Sequence, residues 1–358
     1  MEAMKVMMAG GGTGGHVFPA LAVAAELRRR HPAHEVLFVG TEQGIETRVV
    51  PGAGFPLRTL PLAGFKGVSP VAKLRSLALF CRSLFRTRRL LGEFRPDVVF
   101  GMGGYASGPA MFAAALAGWP TVLFEANAEP GLANRLLAPM VGRAAVTYPE
   151  TMRRFGSKAV RTGSPVREEF FRVPPKKHQP PFTLLIFGGS RGALGVNAAV
   201  LEALDLLRAG RHPLRFIHQT GEADYDAVRT AYARRQIKAE VLPFIPDMPA
   251  RFAEADLVIC RAGASTVAEL TAAGRASVLI PFPHATDQHQ LRNAKAMVRA
   301  GAACLLEEKG LTGERLAAEV LDLLDRPARL AEMEAAARRL AVPDAAARIA
   351  DLIEEAAR

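Results

Sequence analysis

The first candidate for chemistry is a glycine cluster near the start of the chain, at residues 10–15 (GGGTGG), between an apolar run and a helical pattern. Glycines allow a backbone to approach an anion closely, and the N–H groups at a helix start favour negative charge. The spacing matches GxGxxG, so a dinucleotide is one interpretation, with Glu42 as the acid for a ribose. No Gly-Lys-Ser/Thr closes the cluster, which excludes a Walker A loop. A tight turn that packs the helix on the strand is the alternative.

His16 follows this cluster directly, in the first turn of the predicted helix. The positive end of a helix disfavours the imidazolium form, so we expect a neutral ring that can accept a proton. A capping or packing role is the alternative interpretation.

Two further glycine clusters follow predicted strands, at residues 101–108 (GMGGYASG) and 188–193 (GGSRGA). Three such loops exceed what one dinucleotide needs. They suit a ligand with more than one phosphate group, or two phosphorylated ligands.

Polar residues also follow two later strands. Residues 260–269 (CRAGASTVAE) place Ser265 and Thr266 at a helix start, with Glu269 one turn further on. Helix capping alone explains this pattern; alternatively, the helix start binds a phosphate and Glu269 binds a ribose diol.

Two metal signatures are disfavoured. Residues 281–290 (PFPHATDQHQ) hold His284, Asp287 and His289, but no second ligand cluster accompanies them. Residues 224–226 (DYD) match the DxD motif of metal-dependent sugar transferases, but they fall in a predicted helix and not at a strand end. We therefore predict no metal site.

Apolar strands and helical stretches alternate along the chain, which predicts an α/β fold with parallel sheets covered on both faces. The first helix is predicted from about residue 17 to residue 30. The predicted strands are residues 6–9, 35–39, 98–100, 121–124 and 144–147, then 183–187, 215–218, 239–242, 257–260 and 277–280. Residues 173–181, with four prolines and two lysines, read as a linker, after which the order strand, glycine turn, helix restarts. Two doubly wound domains in tandem, with a ligand in the cleft between them, explain this organisation.

Composition excludes several classes of protein. With 358 residues, 49% of them hydrophobic and 23% charged, the chain is long enough for two folded domains. Three dispersed cysteines cannot form a disulfide framework or a structural zinc site, and they fit a reducing cytosol. Only 7% of residues are aromatic, which argues against the stacking platforms of RNA-binding proteins.

The basic excess lies in the first half of the chain. Residues 1–180 hold 24 Lys and Arg against 12 Asp and Glu, whereas residues 181–358 hold 22 against 23. We therefore expect an anionic partner for the first half: phosphate, a membrane surface or nucleic acid.

One segment of that half predicts a basic amphipathic helix. Residues 62–92 contain no Asp or Glu, and apolar residues recur at helical spacing within 71–91. The cations are Lys66, Lys73, Arg75, Arg82, Arg86, Arg88 and Arg89, and the apolar residues are Leu74, Leu77, Phe80, Cys81, Leu84 and Leu91. Such a helix suits an anionic membrane surface, although its apolar stripe could also pack on the sheet.

Residues 98–124 carry no charge, but their glycines and prolines favour strand, loop, short helix and strand over a membrane span.

The motifs GGTGGHVFPALAVA, GMGGYASGP, GSPVR, FGGSRGA, CRAGASTVAE and PFPHATDQHQLRNA together resemble the MurG family of bacterial N-acetylglucosaminyltransferases, in the right order over essentially the whole chain. The resemblance implies a GT-B fold of two Rossmann-like domains that face a cleft. We place the first domain, which binds the acceptor and faces the membrane, at residues 1–163. The second domain, which binds UDP-GlcNAc, is placed at residues 164–341. A helix over residues 342–358 can pack back on the first domain. It also implies transfer of GlcNAc, with inversion, from UDP-GlcNAc to the C4 hydroxyl of MurNAc in lipid I (undecaprenyl-pyrophosphoryl-MurNAc-pentapeptide), without a cofactor or a required metal.

The resemblance carries site residues over by motif. The catalytic candidates are His16, as general base, and Glu125. The donor residues are Thr13, Gly14, Gly15, Asn127, Arg167, Ser190, Ile245, Ala264, Ser265, Thr266, Val267, Ala268, Glu269 and Gln290. The acceptor pyrophosphate residues are Gly14, Gly15, Gly103, Gly104 and Tyr105. Phe124 and Ala126 stand where the family usually has His and Gln, beside Glu125 and Asn127.

The resemblance implies peripheral attachment to the cytoplasmic face of the bacterial inner membrane, where the lipid-linked acceptor is anchored. It also allows other cell-wall synthesis or division proteins as partners. The alternatives are a UDP-GlcNAc 2-epimerase of the same fold, an NAD-dependent dehydrogenase, and a basic nucleic-acid-binding protein, for which no stripe of stacking aromatics is present.

Overall fold

The computed structural model describes residues 3–12, 14–62, 70–189, 192–285 and 288–358, without the side chains of residues 70–77, 105 and 106. The chain forms two compact units. Unit 1 comprises Met1–Arg167 and Val342–Arg358, and unit 2 comprises Glu168–Ala341. The first boundary thus falls at residues 167/168 and not at 163/164, and the last helix belongs to unit 1.

Unit 1 is built on a seven-stranded parallel sheet. In chain order its strands are β1 (Lys5–Ala9), β2 (Glu35–Thr41), β3 (Leu57–Leu60), β4 (Val98–Gly101), β5 (Thr121–Glu125), β6 (Arg143–Val146) and β7 (Ala159–Arg161). They lie in the order β3-β2-β1-β4-β5-β6-β7, so the direction of winding reverses between β1 and β4. In such sheets ligands bind beyond the carboxyl ends of the strands at the reversal.

The helices of unit 1 are α1 (Gly14–Arg30), α2 (Glu46–Gly52), α3 (Pro70–Phe94), α4 (Gly104–Leu116), α5 (Leu132–Leu137) and α6 (Pro149–Phe155). A 3₁₀ turn spans Gly156–Lys158. Residues 98–124 form β4, α4 and part of β5, which confirms strand, loop, helix and strand. None of the described helices is both long and apolar enough to cross a bilayer.

Unit 2 repeats the pattern with six parallel strands. These are β8 (Phe182–Phe187), β9 (Leu214–Gln219), β10 (Ala239–Leu242), β11 (Leu257–Cys260), β12 (Ser277–Leu279) and β13 (Ala303–Leu305), in the order β10-β9-β8-β11-β12-β13. The helices are α7 (Glu168–Phe171), α8 (Leu194–Ala209), α9 (Tyr225–Arg234), α10 (Met248–Glu254), α11 (Ala264–Ala273), α12 (His289–Arg299), α13 (Gly313–Leu324) and α14 (Pro327–Leu340). The chain then returns to unit 1 as α15 (Ala345–Ala356).

The strands are apolar on both faces because helices cover both sides of each sheet. Val6, Met7, Met8 and Ala9 of β1 are fully buried, and all six residues of β8 are buried. Apolar packing of this kind fixes the strand ends, and with them the loops that follow β1, β4, β8 and β11.

Candidate active site

The first and second glycine clusters of the chain meet beyond the carboxyl ends of β1 and β4. Ala9 pairs with Gly101 at the ends of these neighbouring strands. A Cβ at Gly10 would lie 2.7 Å from the Cβ of Met102, so the two loops pack in direct contact. The reversal of winding in unit 1 therefore carries two glycine loops.

His16 lies in the first turn of α1, against the loop after β4. A Cβ at Gly104 would lie 3.0 Å from Cε1 of the His16 ring, and the φ angle of Gly104 is +73°. Glycine is thus required at this position both for space and for backbone conformation. The helix begins at Gly14, three residues before its predicted start, so His16 is held within the helix and between the two loops.

Glu46, on α2, is a buried residue of this region that the sequence analysis missed. Its Oε2 accepts a hydrogen bond from the Gly12 N–H at 2.8 Å, and its Oε1 accepts from the Thr41 N–H at 2.7 Å. Glu42, which the sequence pattern offered as the ribose acid, is exposed and lies 4.0 Å from Arg86. The acid near the loop is thus Glu46, which is buried and bonded to backbone, so it is not available to a ribose. This argues against a dinucleotide at the loop.

Glu125 ends β5 and organises the loop that follows it. Its Oε1 accepts from the N–H and the side-chain amide of Asn127, at 2.9 and 3.0 Å. Its Oε2 accepts from the Gly131 N–H at 3.1 Å and from the Asn134 amide at 2.8 Å. Burial raises the pKa of Glu125, and these four donors act in the opposite direction. With both oxygens occupied, the carboxyl group is better placed to hold the loop than to take a proton from a substrate.

The same loop reaches the site through Asn134. Its amide also donates to the Phe124 carbonyl at 3.1 Å, and a Cβ at Gly103 would lie 3.1 Å from that amide nitrogen. The loops after β1, β4 and β5 therefore form one packed group with His16. Thr13 and the side chain of Tyr105 lie outside the described residues.

Arg167, a donor residue by resemblance, is the last residue of the first segment of unit 1. Its guanidinium carbon lies 5.4 Å from the centre of the Phe18 ring on α1. Arg167 therefore belongs to unit 1, although the predicted bounds place it in the second domain.

In unit 2 the glycine loop after β8 packs against the end of β9. Gln219, almost fully buried, donates from Nε2 to the Gly189 carbonyl at 2.7 Å and accepts at Oε1 from the Ile245 N–H at 2.9 Å. This side chain joins the glycine loop to the segment that carries Ile245, and no sequence motif marks it. Ser190 lies outside the described residues.

The start of α11 lies beyond the carboxyl end of β11. Its N-cap residue is Gly263, without a side-chain cap, so the capping interpretation of Ser265 and Thr266 is wrong. Ala264, Ser265, Thr266 and Glu269 are partly exposed, whereas Val267 and Ala268 are buried. The first turn of the helix therefore presents N–H groups and two hydroxyls, as an anion site requires.

The segment after β12 is held by Gln290 on α12, whose Oε1 accepts from the Phe282 N–H at 2.9 Å. His284 is exposed, and Asp287 lies outside the described residues. Within the described ranges, no group of three or more His, Cys, Asp or Glu side chains could hold a metal ion.

Comparison with known proteins agrees with this arrangement. The N-terminal domain model of glycosyltransferase family 28 matches residues 6–146, and the C-terminal domain model matches residues 183–349. The UDP-N-acetylglucosamine--N-acetylmuramyl-(pentapeptide) pyrophosphoryl-undecaprenol N-acetylglucosamine transferase of Myxococcus xanthus is 47% identical, over 98% of this chain and 92% of the relative.

Solved structures agree as well. The crystal structure of Acinetobacter baumannii MurG is 34% identical, with a TM-score of 0.79 over 98% of this chain and 99% of that one. A Listeria monocytogenes structure named as a UDP-N-acetylglucosamine 2-epimerase has a TM-score of 0.72 over 98% of this chain and 95% of that one, but its 16% identity shows a common fold alone. The two parallel-sheet units thus form the expected GT-B fold. Since two domain models and a relative 47% identical over almost the whole length match this chain, it belongs to the MurG family within glycosyltransferase family 28.

Proposed function

We propose that the protein transfers GlcNAc from UDP-GlcNAc to the C4 hydroxyl of MurNAc in lipid I, which gives lipid II for peptidoglycan synthesis. The observation that carries this proposal is the 47% identity, over 98% of the chain, to a relative named for that transfer. The reaction forms a bond from the C4 oxygen to C1 of GlcNAc and breaks the bond from C1 to the UDP oxygen, with inversion at C1.

Unit 2 is the proposed donor site. Glu269, one turn into α11, would accept hydrogen bonds from the ribose hydroxyls, and the first turn of α11 would face the diphosphate. Ile245 would meet the uracil, Gln290 would meet the sugar, and Ser190 would be a further contact. The donor contacts proposed on unit 1 are Thr13, Gly14, Gly15, Asn127 and Arg167. The N–H groups of the helix start would stabilise the negative charge that develops on UDP as it leaves.

Unit 1 is the proposed acceptor site. The loops with Gly14, Gly15, Gly103, Gly104 and Tyr105 would hold the acceptor pyrophosphate. His16 would take the proton of the C4 hydroxyl, which is supported by its place between two glycine loops at a helix start. The four donors on Glu125 support a positioning role for that carboxyl group.

A membrane-facing surface on α3, α4 and α5 is also proposed. Helices α3 and α4 pack together, as do α4 and α5. Among their described side chains, these helices expose the large apolar residues Phe85, Leu116, Leu132 and Leu136. Arg82, Arg86, Arg88 and Arg89 are exposed on α3, while Lys66, Lys73, Arg75, Leu74 and Leu77 lie outside the described side chains. Exposed apolar groups beside cations fit peripheral binding to the anionic cytoplasmic face of the inner membrane.

The decisive experiment incubates the purified protein with labelled UDP-GlcNAc and a lipid I analogue. We expect a disaccharide-lipid product and stoichiometric UDP. Formation of UDP-ManNAc without any transfer would identify a 2-epimerase instead. Salt-sensitive binding to duplex DNA, with no affinity for UDP-GlcNAc, would contradict both the transferase and the epimerase functions.

A further inference from the structure

Glu46 is a fully buried carboxylate below the loop after β1, and no step of the proposed reaction uses it. Besides the Gly12 N–H on Oε2 and the Thr41 N–H on Oε1, its Oε1 accepts the Thr41 hydroxyl at 2.8 Å. The donors belong to two different segments, the glycine loop and the end of β2. The side chain therefore joins the loop to the neighbouring strand.

Three glycines close around this side chain. A Cβ at Gly11 or Gly44 would overlap the carboxyl group itself, and a Cβ at Gly40 would lie 2.6 Å from Cγ of Glu46. Backbone from the loop, from β2 and from the segment before α2 thus encloses one carboxyl group. In so tight an enclosure the carboxyl group cannot shift unless the loop shifts with it.

The Gly12 N–H that binds Glu46 immediately precedes the first turn of α1. Gly12 has a φ angle of +86°, and α1 begins two residues later at Gly14, with His16 as its third residue. A hydrogen bond that holds the Gly12 amide therefore also determines the start of α1. The start of α1 in turn determines where the His16 ring contacts Gly104.

We propose that Glu46 is a positioning residue for the transfer reaction, which holds the first glycine loop through the Gly12 N–H and thereby sets the position of His16. The inference rests on the proposed function, and it gives a task in that reaction to a residue that touches no substrate.

The substitution Glu46→Gln tests this with almost no change in shape. Both carboxylate oxygens accept hydrogen bonds, whereas an amide has only one oxygen. Because Thr41 supplies two donors to one oxygen, we expect the Gln oxygen to stay there and its NH₂ group to face the Gly12 N–H. Two donors then oppose each other, and the loop must move while α2 remains attached to β2. Thr41→Val is the matched control, since it removes one hydrogen bond from the same carboxylate without touching Gly12.

We expect Glu46→Gln to lower kcat for GlcNAc transfer by about 10- to 100-fold, the scale of a small misplacement of a catalytic group. The Kd for UDP-GlcNAc, measured by calorimetry, should change much less than kcat. The proposed donor contacts Ile245, Gln290 and those of α11 lie in unit 2, and only Thr13, Gly14 and Gly15 lie on the loop that moves. Thr41→Val should lower the melting temperature to a similar extent and keep the wild-type kcat. Equal kcat values for the two variants, or a loss of UDP-GlcNAc binding in Glu46→Gln as large as its loss of kcat, would overturn the proposal.

Amide hydrogen exchange gives a second readout that needs no activity. Exchange in a peptide covering residues 10–17 should accelerate in Glu46→Gln and stay at the wild-type rate in Thr41→Val. Unchanged exchange in Glu46→Gln would show that the carboxylate does not hold the loop. If the wild type transfers no GlcNAc but this difference in exchange is present, the proposed function fails and the attachment of the loop to Glu46 stands.

Discussion

At the scale of single residues, His16 carries the most specific chemical expectation. Replacement of His16 by Ala should lower kcat for transfer by about 10²–10⁴-fold, because a general base contributes on that scale. The Kd for UDP-GlcNAc should not change, and steady-state kinetics together with calorimetry separate the two effects. His31→Ala, just beyond the other end of α1, is the control, and its kcat should match the wild type. Near-normal turnover in His16→Ala would place the base elsewhere.

Glu269 carries the corresponding expectation for the donor. Its replacement by Ala should weaken UDP-GlcNAc binding by about 1.5–3 kcal/mol, because charge-assisted hydrogen bonds to the ribose would be lost. Calorimetry measures this directly. Glu314→Ala, in the first turn of α13, removes an exposed acid from the same unit and should leave the Kd unchanged. An unchanged Kd in Glu269→Ala would remove this residue from the site.

Some site residues could be predicted from the sequence and others could not. The glycine loops and His16 follow from local spacing, since a strand, glycines and a helix start are adjacent in the chain. Glu46, Gln219 and Asn134 act on backbone that is distant in sequence, so their roles depend on the packing of neighbouring strands. Gly40 and Gly44, on either side of Thr41, were a missed signal of close approach near the end of β2.

At the scale of elements, the alternation of strands and helices was predicted, but three strands were missed. β3, β7 and β13 are edge strands of three or four residues, and each pairs with one neighbour only. The middle residues of β3 and most of β7 are exposed, so these strands lack the apolar run that marks a buried one. These short edge strands therefore carry a weak sequence signal, whereas β10, at the other edge of the sheet in unit 2, agrees with the strand predicted at residues 239–242.

Ion pairs on α3 reduce the cationic excess that the sequence indicates for residues 62–92. Arg89 lies 2.6 Å from Glu93, and Arg86 lies 4.0 Å from Glu42, so acids outside residues 62–92 partly balance two of the cations. Arg82 and Arg88 form no ion pair with any described residue. These two arginines are the better test of membrane binding.

The double substitution Arg82→Glu and Arg88→Glu should reduce sedimentation with anionic liposomes, because each cation contributes roughly 1 kcal/mol at such a surface. The difference in sedimentation between this variant and the wild type should become smaller as salt is added. Arg234→Glu with Arg315→Glu makes the same charge change on exposed positions of unit 2 and should sediment like the wild type. Equal binding of the wild type to neutral and anionic liposomes would contradict the electrostatic part of the proposal.

At the scale of the whole molecule, a buried polar cluster ties the linker to the body of unit 2. His178, in the linker, contacts Asp256 at 3.1 Å and Glu334 of α14 at 3.6 Å. Arg275, fully buried, lies 3.2 Å from Glu334, and Lys176 lies 3.6 Å from Asp256. Burial acts to lower the pKa of His178, but the two carboxylates outweigh it and raise the pKa to about 9.

This cluster predicts how stability depends on pH. A histidine whose pKa is raised by folding stabilises the native state fully below its unfolded pKa of about 6.5, and that contribution is lost as pH rises toward 9. Urea unfolding at pH 6 and pH 9.5 should therefore show a loss of about 1–3 kcal/mol in the wild type that is absent in His178→Gln. Parallel pH profiles for the two proteins would contradict this.

The last helix has a consequence for biosynthesis. Arg30 of α1 contacts Asp351 at 2.6 Å and Glu354 at 3.0 Å, and α15 also packs near β4, β5 and β6. A ribosome releases the amino-terminal part of unit 1 first, yet it must translate the roughly 170 residues of unit 2 before α15 emerges. At about 5–20 residues per second, the nascent unit 1 waits on the order of 10–35 s with the α15 side of its sheet uncovered. During that interval the nascent chain exposes an apolar surface that a chaperone could bind, while unit 2, which is continuous in sequence, can fold as it emerges.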